Sequence, residues 1–122
     1  MKFVGFFEGV KIYESSLFGL GHGLTIPEIG IIVSKGAFSQ NSDPWLIKHE
    51  FGHTLQYKEK GTLKFYFRFG LPSLFSALLQ NIKKNVSHKN HVVEVDANLK
   101  SFKYFKSPEE WPFNRFPVLK KD

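Results

Sequence analysis

A chain of 122 residues is long enough for one domain, residues 1–122, and not comfortably for two, and its twenty aromatic side chains, fourteen of them Phe, supply a core without staples. The absence of cysteine excludes disulfides and thiolate metal sites, leaving His, Asp and Glu as the available metal-binding side chains. The net charge of +6 is uneven: residues 1–57 hold four Lys and five acids, a net −1, and residues 58–122 hold thirteen Lys or Arg and six acids, a net +7. Such a basic half suits an anionic membrane surface, an acidic substrate or simple solvation. Its lysines are scattered singly or in pairs and no nucleic-acid motif accompanies them, so nucleic acid is not an expected partner.

The opening MKFVGFFEGVKIYESS has its apolar run broken by Glu8 and Lys11 and no small-residue cleavage site after it. It does not read as a signal peptide, and a cytoplasmic location is expected. The first forty residues read as β-structure with turns. GVKIYES (9–15) and LTIPEIGIIVS (24–34) carry β-branched and aromatic residues, bounded by GLGHG and KGAFSQNSDP. Pro27 marks an edge strand or a break between two short strands.

A helix is expected over 44–59, with Ser42 or Asp43 as its cap, Pro44 at its first position and Gly61 just past its end. Gly52 lies in its interior, where glycine costs about 1 kcal/mol relative to alanine. A packing reason is expected there, such as another backbone passing close by.

Residues 63–84 form a second apolar helical segment, broken near GLPS (70–73) by Pro72. Within it, FYFRFGLPSLFSALL (65–79) is the most apolar stretch, but Arg68, Gly70 and Pro72 keep it short of the roughly 18 uninterrupted apolar residues of a spanning helix. It reads as buried core, with a membrane-surface helix or a substrate-binding wall as the alternatives. The polar NIKKNVSHKNH (81–91) reads as a loop. A third helix is expected over 91–106, where Val92, Val95, Leu99 and Phe102 recur at spacings of three and four. The tail SPEEWPFNRFPVLKKD is irregular, with Trp111, Phe113 and Phe116 expected to pack on the body or to lie across a cleft.

The stretch that carries chemistry is HEFGH, residues 49–53. On a helix, positions i and i+4 share a face, so His49 and His53 can direct imidazole nitrogens at one ion. Zinc takes neutral nitrogen donors at about 2.0–2.1 Å. Glu50 leaves the helix about 100° from His49, beside such an ion instead of on it. There it can take a proton from metal-bound water, whose pKa zinc lowers to about 7. The bland alternative is a surface helix with two histidines. Zinc needs a third protein ligand, and His88, His91, Glu94 and Asp96 lie downstream. Glu94 is preferred, because Asn98 shares its helix face and can hydrogen-bond a ligand histidine. His91 is an alternative ligand or an oxyanion donor. Asp96 lies about 200° round from Glu94 and should not share the site. Tyr57 and Tyr104 complete the oxyanion candidates. As a plain surface charge, Glu94 would instead sit in solvent near Lys89 and Lys100.

HEFGH, with a helical Glu some forty residues on, resembles the gluzincin class of zinc metallopeptidases. The small size is similar to that of the minigluzincins, and HEFGHTLQ … FGLPSL … H..VEVDAN is similar to a group of short bacterial HExxH proteins with no assigned substrate. The likeness covers about residues 24–105. It implies a minimal zincin-like α+β fold, with a small, mostly antiparallel sheet packed on an active-site helix and a glutamate-bearing helix. It implies zinc on His49, His53 and Glu94, Glu50 as the base, and a peptide or protein substrate. Where the class often has Glu-x-x-x-Asp, this chain reads EVDAN, with Asn98 in place of the acid. The class also has an upper-rim strand antiparallel to bound peptide. EIGIIVS (28–34) is the segment assigned to it, the alternative being an internal strand. The competing function is a non-catalytic zinc-stabilised domain that binds a protein partner or, peripherally, an anionic membrane.

Overall fold

The computed structural model describes residues 1–60 and 88–119, without the side chains of Lys60 and of residues 88–92. The expected second helical segment and its apolar 65–79 stretch lie outside these residues. Strands β1 (Lys2–Phe7), β2 (Val10–Ser15), β3 (Gly23–Ile26) and β4 (Gly30–Ser34) precede helices α1 (Pro44–Lys60) and α2 (His88–Tyr104). The sheet is mixed, in the order β1-β2-β4-β3, with two antiparallel pairs and one parallel pair, β2 with β4. The α+β expectation therefore holds.

The β1–β2 hairpin closes through Glu8 and Gly9, both at positive φ (49° and 79°), as a two-residue hairpin turn requires. The β3–β4 turn puts Pro27 and Glu28 in its centre, with Ile29 N donating to Ile26 O at 3.1 Å. Pro27 thus breaks one extended run into two short strands. That tight turn carries β4 back between β3 and β2, and all five residues of β4 are buried. The rim assignment of 28–34 is accordingly corrected: β4 is interior, and β3 is the edge on that side among the described residues. The unbroken GIIVS run was the available sign, since a strand covered on both faces loses the polar alternation.

Ile12, Ile31 and Val33 meet Leu46, Ile47 and Phe51 of α1 in the main core. Each such aliphatic side chain, fully buried, is worth about 1.5–3 kcal/mol. Asp43, not Ser42, caps α1: Leu46 N donates to its Oδ1 at 3.3 Å.

Helix α2 runs antiparallel to α1, with Ser101 opposite Lys48, Ala97 opposite Gly52 and Val93 opposite Gln56. It already includes His88, inside the stretch expected to be loop, and ends at Tyr104. Apolar periodicity marks only the packed part of a helix, so a polar turn such as 88–91 leaves no such signal. The helix ends in a reciprocal pair of bonds, Ser107 N to Phe102 O and Lys106 N to Lys103 O, with Lys106 at a φ of 63°. Beyond it, residues 107–119 are irregular, as expected. Trp111, Phe116 and Val118 are buried against Trp45, Leu99 and Phe102 in a second cluster, whereas Phe113 is 46% exposed. Among the described residues, no helix is long and apolar enough to cross a membrane.

Candidate metal centre

His49 and His53 stand one turn apart on α1, both buried, with ring centroids 5.1 Å apart. Helix α2 brings Glu94 to both. Its Oε1 is 3.2 Å from His49 Nε2 and its Oε2 is 2.8 Å from His53 Nε2. So short a reach requires the two backbones to lie close, and Gly52 allows it. A Cβ at position 52 would collide with the carbonyl oxygen and carbonyl carbon of Ala97 and crowd its Cα. The packing reason expected for this glycine is therefore present.

Two carboxamides set the histidine tautomers. Asn98 Nδ2 donates to Pro117 O at 3.0 Å, and a carbonyl can only accept. The Oδ1 atom of Asn98 must then face His49 Nδ1, 2.5 Å away, which carries the proton. On the other ring, Gln56 Nε2 donates to Val93 O and to Asp96 Oδ2, both at 2.8 Å. Its Oε1 accepts from His53 Nδ1, also at 2.8 Å. Both rings thus hold Nδ1–H and turn Nε2 toward Glu94. Asn98, standing where the class has an acid, still fixes the ring through its amide oxygen, without the negative charge that a carboxylate would add. One face of His49 is closed by Phe116, stacked at 4.6 Å and 13°.

Two Nε2 lone pairs and a carboxylate pointed at each other repel unless a cation sits among them. The donor set meets that need: one atom from each of His49, His53 and Glu94 lies within 4.8 Å of the others, and the group can hold a metal ion. Without metal, protons supply the charge. Burial opposes a charged ring at His49, but the hydrogen bond to Glu94 and the charges of Glu50 and Glu94 outweigh it, and its pKa lies above the ordinary 6.5. Burial likewise opposes charge on Glu94. The charge of His53 and the hydrogen bonds of both rings win, holding this carboxyl well below 4.5.

These directions set the pH dependence of the metal-free protein. The raised His49 pKa stabilises the fold below 6.5, and that contribution is lost as pH rises through the folded value. The lowered Glu94 pKa stabilises it above 4.5, and that contribution is lost as pH falls through the folded value. Metal must displace the protons, so the gap between metal-loaded and metal-free melting temperatures is expected to widen from about pH 5.5 to about pH 8. A gap of constant size would argue against histidine ligation.

Glu50 lies beside the cluster, 5% exposed, with Oε2 at 3.8 Å from His49 Nε2. The Thr25 hydroxyl, on edge strand β3, lies 2.8 Å from both Glu50 Oε1 and the Glu50 carbonyl oxygen. This fixes the carboxylate against the helix and leaves Oε2 on the side of the ligands.

The other expected residues divide. Asn98 joins the site. Asp96 stays out of the ligand set, as its helical phase implied, and holds Gln56 instead. The side chain of His91 lies outside the described residues. Tyr57 is buried and lines a cavity of about 230 Å³ with Thr54, Lys58 and the β1–β2 and β3–β4 turns. The structure does not bring Tyr104 to the ligands: it stands ten residues past Glu94, about 15 Å along the helix, and its hydroxyl donates to Glu8 at 2.7 Å. Sequence reasoning missed Gln56, Thr25 and the Pro117 carbonyl, and it expected Phe116 to pack on the body or to lie across a cleft without assigning it to His49. Gln56 had a signal, since three residues after His53 is the same helix face. The other three reach the site from distant segments.

Comparisons with protein-family models, with curated proteins and with solved structures return no match to this chain.

Proposed function

We propose that this chain is a small zinc-dependent metallopeptidase of gluzincin type, in which His49, His53 and Glu94 hold zinc and Glu50 is the general base. The observation that carries the reading is the tautomer-fixed pair of Nε2 atoms converging with Glu94, beside a buried carboxylate that is not itself a ligand. Three protein ligands are the number a catalytic zinc site uses, with a fourth place left for water or substrate. Zinc, when bound, supplies a Lewis acid that polarises a carbonyl and acidifies water. Thr25 holds Oε1 of Glu50, so Oε2 accepts the proton during attack.

A peptide substrate is supported by strand β3. Its outer edge has no strand partner among the described residues. A Cβ at Gly23 would lie 3.2 Å from Glu50 Cγ, so this strand borders the base itself. An extended peptide can pair with such an edge through its backbone and bring a carbonyl to Glu50.

The same geometry lends some support to a second reading, a zinc-stabilised binding domain, because the three ligands tie α1 to α2. Elemental analysis is the first test. About one zinc per chain is expected, lost in Glu94→Ala and kept in His91→Ala. A wild-type protein that takes up no zinc, even when zinc is added back, would end both readings.

A further inference from the structure

We infer that the C-terminal strap, residues 111–118, is a working part of the metal centre: it fixes the tautomer and ring plane of His49, so strap docking and metal binding strengthen each other. The inference rests on the metal reading above and extends it to a segment with no ligand of its own.

Two strap groups act on His49. The first is the Pro117 carbonyl, which decides the orientation of Asn98. Without that acceptor the carboxamide is free to turn over and set its NH2 group against Nδ1. His49 would then carry its proton on Nε2, the tautomer with no lone pair for an ion. The second is the Phe116 ring, which lies nearly parallel to the imidazole at 4.6 Å and opposes its rotation. Outer partners of ligand histidines tune metal affinity through these two variables, tautomer and orientation.

The strap is itself held at places that are not ligands. Arg115 grips Asp43, the cap of α1, through two hydrogen bonds of 2.8 and 2.7 Å. Its guanidinium also lies 4.6 Å from the centroid of the Phe116 ring. Trp111 packs edge-on against Trp45 and Phe102, each at 5.5 Å, and its Nε1 donates to Phe116 O at 2.8 Å. The strap can therefore be loosened without touching His49, Asn98 or Glu94. By linkage, whatever factor strap docking adds to metal affinity, metal adds to strap docking. The chain has two tryptophans and both lie in this cluster, so tryptophan emission reports directly on the strap.

The test uses the full chain with Zn2+ as the probe and measures affinity by chelator competition in wild type, Arg115→Ala and Phe116→Leu. Leucine keeps apolar bulk in place of the stacked ring. Zinc affinity is expected to fall about tenfold to a hundredfold in Phe116→Leu, and less in Arg115→Ala. In Arg115→Ala, tryptophan emission is expected to shift to the red and to return when Zn2+ is added. Ile12→Val, in the other core cluster, is the control for stability alone: it lowers the melting temperature and leaves zinc affinity unchanged. Wild-type affinity in both strap variants overturns the inference and leaves the metal reading standing. A wild-type protein that binds no Zn2+ overturns the metal reading and the inference with it.

Discussion

Glu50→Gln is expected to keep its zinc and its fold and to lose peptidase turnover, by about a hundredfold to ten-thousandfold, the usual contribution of a positioned general base. Glutamine has the same shape, and its amide oxygen can still accept from Thr25, which lies 2.8 Å from Glu50 Oε1. What it lacks is a basic lone pair where Oε2 stands, 3.8 Å from His49 Nε2. Metal content and melting temperature measured beside turnover separate a lost base from a lost site. Full turnover in the variant would remove Glu50 from the mechanism. If the wild type cleaves nothing and removal of zinc unfolds it, the binding-domain reading takes the place of the peptidase.

The second large effect is expected at Gly52. Alanine there raises helix propensity by about 1 kcal/mol. Against this, its Cβ has no room: it meets the backbone of Ala97, which cannot rotate aside as a side chain can. Overpacking of this kind typically costs about 1–3 kcal/mol, occasionally more, so the clash wins. The chain is expected to melt several degrees lower, since about 1 kcal/mol moves the midpoint by roughly 2–8 °C over domains of this size range. The functional effect is larger than the loss of stability. Pushing α2 away carries Glu94 off His53, a contact of 2.8 Å, and at least a tenfold loss of zinc affinity is expected from disturbing that geometry. Melting the metal-free protein isolates the packing part. A higher melting temperature in Gly52→Ala would mean that the helices do not touch there.

The features legible in the sequence are those that depend on residues within about two helical turns of one another. The spacing of His49 and His53, the phase of Glu50 and the shared face of Glu94 and Asn98 all follow from 3.6 residues per turn, and the cap and first proline of α1 follow from the unpaired N–H groups of a helix's first turn. Gly52 was legible as an anomaly, because a glycine kept in a helix interior calls for a close neighbour, although the neighbour itself could not be named. Conversely, β4 was assigned to the rim because strand order depends on pairing between distant segments: its unbroken apolar run signalled burial on both faces but not which strands would flank it. Tyr104 was a candidate until its distance along α2 from Glu94 and its hydrogen bond to Glu8 placed its hydroxyl elsewhere.

The sequence by itself thus determined the chemical kit: two histidines on one face, a carboxylate beside them, and a second helix with a carboxylate and an amide one turn apart. Local helical geometry requires no partner to be true. The tertiary structure alone decided that Glu94 meets both rings, that Thr25 of the edge strand holds Glu50, and that Pro117 and Phe116 set His49. Those contacts join residues 19 to 67 positions apart, and only the antiparallel docking of α1 on α2, with the sheet on one side and the strap beside them, brings them within contact range.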